Sequence, residues 1–310
     1  MEHTRGLRFR HPVAVEYLSD ADFRRELVDD PRALSARERR DQRDEEETDR
    51  ALGLPGGPGG LLEAGNTLSG EGTLAFYDDQ TERIEVRGTE MTVERRTTLV
   101  HELTHALQDQ HFDISREGSY RSDDRNAAFG AVIEGDAVRI EDAYVASLPG
   151  AEQADYDRQQ ASGYADYEAR TAGVPDWLSA TSDAPYTVGE SFTAALAANG
   201  GRRAVDRALR TPPRSQAHTM QTDRYLRGDR PRKVRSPAVP AGDPVAKRND
   251  LGALRWLLFL AERMPATEAL KAVDGWDGDA YVAYRHRGRL CVKADFAGEG
   301  RAATDEMAGT

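Results

Sequence analysis

Two histidines four residues apart, with a glutamate beside the first, stand in His101-Glu102-Leu103-Thr104-His105. On an α-helix four residues turn about 400° and rise about 6 Å, so both imidazoles share one face and can reach one ion. Glu102 then falls beside that ion, placed to hold its water rather than to ligate it. Catalytic zinc takes three protein ligands and keeps one position open, which leaves this pair one ligand short. Two residues compete for the place. His111 completes HExxHxxxxxH, the ligand spacing of metzincins, but that pattern needs glycine where Gln108 stands, because the helix must break there in a conformation that Gln tolerates poorly. In an unbroken helix His111 points off the site face. The other candidate is Glu134, with Ala127, Gly130, Ala131, Ala137 and Val138 around it on a predicted helix. Small residues let a second helix approach closely, and a carboxylate among them needs a partner. A metal on the first helix would supply one.

Composition narrows the alternatives. The 310-residue chain has a single cysteine, Cys291, so thiolate zinc sites and disulfide frameworks are excluded and any metal must use His, Asp or Glu. Its net charge of −12 gives no global attraction for nucleic acid. The Arg224–Arg235 stretch lacks interleaved aromatics apart from Tyr225, so no nucleic-acid partner is expected. The longest apolar run, Trp256–Ala261, is far short of the roughly 20 residues of a membrane span and is expected to pack in the core. Met1–Arg5 opens no apolar leader, which points to a cytoplasmic protein as the chain stands, or to an extracytoplasmic one if a leader lies upstream.

The elements that must position these residues follow from periodicity and caps. Residues 12–18 predict a strand, and Ser19 or Asp20 caps a helix to Leu27. Residues 31–52 mix both charge signs and predict a solvated helix or mobile segment. Gly53–Gly60 is a loop. Thr73–Asp78 and Arg83–Arg87 flank a polar tetrad and predict a β-hairpin. Leu99, Val100, Leu103, Ala106 and Leu107 recur at helical spacing over Thr92–Gln110. Ser122 or Asp123 caps a second helix reaching Ser147. Further helices are expected over 151–171, 188–199, 203–210 and Leu251–Met264, with Gly200-Gly201 separating the second from the third. Residues 228–250 are expected to connect, Asp277-Gly278-Asp279 to turn, Ala280–Tyr284 with Leu290–Lys293 to form a small hairpin, and Cys291 to be buried. The expectation is a helix-rich α+β fold, with a catalytic body over 1–235 and an α+β appendage over 236–310.

Leu99 to Asp113, followed by Ile133-Glu134-Gly135-Asp136-Ala137, resembles a family of bacterial and archaeal zinc metallopeptidases of gluzincin type. The resemblance extends to Arg10–Leu27, Gly189–Asp206, and Trp276–Asp279 with Tyr281. It implies a zincin-like catalytic domain whose sheet packs on two active-site helices, and one Zn²⁺ on His101, His105 and Glu134. It also implies Glu102 as general base, taking a proton from a zinc-bound water that attacks a peptide bond, so the expected partner is a peptide or protein substrate. Two departures stand out. The thermolysin-like pattern has Asp four residues after the glutamate ligand, where this chain has Val138; Asp136 or Asp142 would have to orient a zinc-bound histidine instead. Relatives carry a histidine near Gln221, where the nearest here is His218; His218 or Tyr225 is the candidate transition-state donor. The edge for substrate pairing is expected at Phe76–Asp78. Two other readings remain: a metal-stabilised binding or envelope protein without catalysis, and a metzincin-type protease using His111.

Overall fold

The structure, a computed structural model, describes residues 1–309. A one-turn helix α1 (Glu2–Arg5) leads into β1 (Ala14–Leu18), α2 (Asp20–Leu27), α3 (Glu38–Leu52) and α4 (Leu61–Gly72). The hairpin β2 (Ala75–Asp78) and β3 (Arg83–Arg87) follows. Four long helices come next: α5 (Val93–Phe112), α6 (Asp123–Ser147), α7 (Gly150–Thr171) and α8 (Asp176–Arg210). Two short ones, α9 (Gln216–Met220) and α10 (Thr222–Arg227), precede β4 (Val245–Asn249), α11 (Gly252–Ala261), α12 (Ala266–Asp274), β5 (Trp276–His286), β6 (Arg289–Gly298) and α13 (Arg301–Ala308). The fold is α+β and helix-rich. No helix among the described residues is long and apolar enough to cross a membrane.

The first sheet runs β1-β3-β2, with β1 parallel to β3 and β2 antiparallel to it. The polar tetrad closes the expected hairpin, with Tyr77 opposite Ile84, and β2 is left as an edge. One face of this sheet, Ala75, Ile84 and Val86, packs on Leu99 and Leu103 of α5. The opposite side of α5 is buried too, although it is polar: His101, Glu102, Thr104, His105 and Gln108 are covered by neighbouring elements. The caps expected at Ser19 and Ser122 form, and Thr92 adds one at the start of α5. Ser19 accepts from the amide of Asp22, Thr92 from Arg95 and Ser122 from Arg125, each satisfying a donor that a helix start leaves free.

A second core joins Phe129, Val132 and Ile133 of α6 to Phe192 and Leu196 of α8. The crossing is made by glycines. A Cβ at Gly135 would overlap the Gly189 carbonyl, and one at Gly189 would overlap the carbonyl of Ala131. Ala131 and Gly135 thus receive α8, while Glu134 beside them turns to the histidines of α5.

Several expectations need correction. The helix expected from 188 begins at Asp176 and runs through Pro185; its break at Gly200 (φ −149°) and Gly201 (φ 61°) falls where glycine was expected to separate two helices. The helix α4 went unforeseen. Its glycines at 65, 70 and 72 conceal the spacing of Leu61, Ala64 and Leu68, of which Ala64 and Leu68 are buried. The expected connection at 228–250 ends in a strand, β4. Asp277-Gly278-Asp279 is not a turn: it opens β5, with an irregularity between Trp276 and Gly278. The terminal hairpin is longer than its apolar stretches because β5 is the central strand of the antiparallel order β4-β5-β6 and is covered along most of its length. Cys291 is half-buried rather than buried.

The 236–310 segment is continuous with the body. Leu52 of α3 and Ala217 of α9 share a core with Trp256, Leu260, Val273, Trp276 and Met307. Arg263 donates to the Leu52 carbonyl at 2.6 Å, Arg255 pairs with the buried Asp49, and Arg285 pairs with Asp44.

Candidate metal centre

The two imidazoles lie edge-to-face on α5, ring centres 4.7 Å apart. Both Nε2 atoms aim at one oxygen of Glu134: His101 at 3.1 Å and His105 at 3.3 Å. Ligand atoms held about 2.0–2.1 Å from a tetrahedral zinc ion stand about 3.3 Å from each other, and both nitrogen-to-Glu134 separations match that spacing. One ligand atom each from His101, Glu102 and His105 also lies within 4.8 Å of the others. The site is enclosed, with His101, Glu102 and His105 each 7% exposed.

The outer ring nitrogens are held as well. His101 Nδ1 lies 2.9 Å from Glu141 Oε2, and His105 Nδ1 lies 3.1 Å from Gln108 Oε1. Such contacts fix the ring orientation and leave Nε2 free to face an ion. Glu141 stands seven residues after Glu134, two helical turns along the same face of α6, and its other oxygen takes the Tyr156 hydroxyl of α7 at 3.4 Å. Gln108 donates to the Ile133 carbonyl at 3.0 Å and to Asp136 at 3.2 Å. Asp136 is fully buried and is met by Arg5 at 2.6 Å and Arg139 at 2.7 Å. So Asp136 supports His105 only through Gln108. Asp142 has no hydrogen bond to either histidine; the contact expected of it is made by Glu141, to His101.

The electrostatics suit a cation. Burial alone would lower both imidazoles, but hydrogen bonds to Glu134 and Glu141 hold His101 well above its usual value, and the Glu134 charge raises His105. Burial alone would raise Glu134; the two imidazoles outweigh it and hold it below the carboxylate range. Three carboxylates, Glu102, Glu134 and Glu141, thus face two imidazoles in an enclosed space. A divalent ion can replace the protons that otherwise balance them.

Glu102 has a different setting. Its Oε2 accepts the backbone amide of Tyr77 at 2.9 Å, so the free rim of β2 lies against the carboxylate. Burial raises its affinity for a proton. Tyr77 is itself tied by its hydroxyl to Asp109 at 2.9 Å.

His111 is elsewhere. The helix continues unbroken through Gln108 to Phe112, and His111 Nε2 meets the Arg8 carbonyl at 2.8 Å. His218 and Tyr225 also lie apart from the cluster. His218 is buried beside Tyr225 and takes the Arg214 amide at 3.3 Å, while Tyr225 donates to the Thr211 carbonyl at 3.3 Å. Burial and neighbouring arginines hold the His218 imidazole down at about 4. The residue that does approach is one the sequence did not single out: the Tyr186 ring lies 6.1 Å from that of His101. Negative charge on Glu134, with burial, raises its phenol well above the usual value and keeps it a neutral donor. No family model matches the chain, and neither the curated proteins nor the solved structures contain a match to it.

Proposed function

We propose that the chain is a zinc-dependent peptidase of gluzincin type, with His101, His105 and Glu134 as ligands and Glu102 as the general base. The reading rests on one observation: two buried imidazoles converge on a single Glu134 oxygen at 3.1 and 3.3 Å, with Glu102 beside them against a sheet edge. The donor set fits zinc, since two nitrogens and one oxygen leave a fourth position open.

When bound, zinc supplies Lewis acidity, acidifying a water and polarising a carbonyl. The protein's own groups do the rest. One oxygen of Glu102 is occupied by the Tyr77 amide, leaving the other to take the water's proton and pass it to the leaving amine. The raised proton affinity of Glu102 suits a group that must both accept and return a proton near neutral pH. The free rim of β2 offers backbone groups to an extended peptide and sets its carbonyl near Glu102. Tyr186, neutral and close to His101, replaces His218 and Tyr225 as the donor for developing negative charge.

The test is metal analysis of the purified protein together with peptide cleavage by the wild type and by Glu102→Ala. Stoichiometric zinc with cleavage lost in the variant supports the reading. Absence of bound metal, or unchanged cleavage, overturns it. Zinc retained in both proteins without cleavage by either would favour a structural zinc that locks α5 to α6.

A further inference from the structure

A cleft of about 640 Å³ opens beside the cluster, walled by α4, α5, α7 and α8. It reaches the proposed centre through two residues: Tyr186, whose ring neighbours His101, and Thr98, one turn before His101 on α5. Its chemistry is unusual for a surface hollow. Tyr164, Tyr167 and Tyr186 line it, and Tyr164 is 63% exposed. Glu94 and Asp183 line it too. Neither carboxylate has an ion pair or a side-chain hydrogen bond among the described residues. The third acid on the wall, Glu71, is already taken by Arg24 at 2.9 Å and Arg170 at 2.7 Å. Aromatic faces and unpaired carboxylates around one space form a receptor for an organic cation. An equally large hollow between α3 and α8 holds Trp177, but its buried acid Asp49 is already paired with Arg255, and it does not reach the histidines.

We propose that this cleft is a substrate subsite that selects a lysine or arginine side chain of the peptide, an inference that rests on the peptidase reading. The geometry fixes where in the peptide that residue stands. The cleft touches the chain at Leu74, and Tyr77 contacts Glu102. Three strand residues span about 10 Å. A peptide lying along β2 with its scissile bond at Glu102 therefore carries the selected side chain two or three positions away, on one side only.

The experiment has two arms, so that this inference and the peptidase reading can fail separately. In the first, zinc-loaded Glu102→Gln protein is titrated with a fluorescent Ala-rich peptide carrying one Arg, and with the same peptide carrying norleucine. The Arg peptide is expected to bind roughly fivefold more tightly, as partly exposed cation–π and ion-pair contacts allow. In Asp183→Asn and Glu94→Gln backgrounds that ratio falls toward one. In the second arm, wild-type cleavage of a mixed peptide library is sorted by position, and Lys or Arg is expected to be enriched two or three residues to one side of the cut. Equal binding of the two peptides, a ratio untouched by both substitutions, or cleavage without that enrichment overturns the subsite. Preferential Arg binding with no cleavage of any peptide keeps the subsite as a cation receptor and overturns the peptidase reading instead.

Discussion

Removing the Glu141 carboxylate should weaken zinc binding without touching a ligand. Its Oε2 lies 2.9 Å from His101 Nδ1, a hydrogen bond with an ionised acceptor, whereas Gln108 offers His105 a neutral oxygen at 3.1 Å. Loss of such an orienting partner typically costs 10- to 100-fold in metal affinity, or about 1.4–2.7 kcal/mol. Charge-assisted bonds are roughly twice as strong as neutral ones, which places Glu141→Ala toward the upper end of that range. Glu141→Gln keeps an acceptor oxygen and loses the charge, so it should cost about tenfold, comparable to Gln108→Ala. Asp142→Ala, one residue on and exposed, should bind zinc as the wild type does. The assay is competition for zinc against a chromogenic chelator, with thermal unfolding of each ion-free variant to show that the fold survives. Glu141→Ala within twofold of the wild type, or Asp142→Ala weakened as much, would refute the reasoning.

Other perturbations follow from the same contacts. Gly135→Ala forces a methyl into the Gly189 carbonyl and should cost at least about 3 kcal/mol by overpacking, while Gly150→Ala, with open space at its Cβ, should be neutral or slightly stabilising; denaturant midpoints separate them. Arg5→Ala leaves the fully buried Asp136 short of a cation and should cost about 3 kcal/mol, read in the same unfolding curves. Asp124 is buried and its carboxyl is pushed up by burial to about 7, well above its unfolded value. Its stabilising share is therefore whole below about pH 4 and is lost as pH rises through 7. Wild-type stability should fall between about pH 4 and 7 from this source and level off above 7, and Asp124→Asn should flatten that slope; an unchanged slope would show that the group titrates normally.

The candidate cluster was legible because its pieces are local. A helical period, a cap at Ser122 or Asp123 and small residues around Glu134 point to His101, His105, Glu102 and Glu134 on two helices, and the unbroken α5 agrees with the objection that Gln108 raises against His111. Glu141 was in principle readable, since seven residues make two turns, but it was sought at the wrong offset, around Val138. Tyr186 was not readable. It comes to His101 through the crossing of α6 and α8 at Gly135 and Gly189, a packing event that neither helix announces alone. The same limit hid the role of the last 75 residues: nothing in their periodicity says that α3, some 200 positions earlier, completes their core.

The start of α6 depends on a distant part of the chain. The amides of Asp123 and Asp124 are taken by Asn249 and Asp250, 126 residues further along the chain. All three proposed ligands lie between 101 and 134, yet two amides in the first turn of the helix carrying the third find their protein partners only when the chain reaches 250. At about 5–20 residues per second, a ribosome needs roughly 6–25 s to bridge that gap. The amides of Asp123 and Asp124 thus wait on water until the C-terminal segment has been synthesised and has docked.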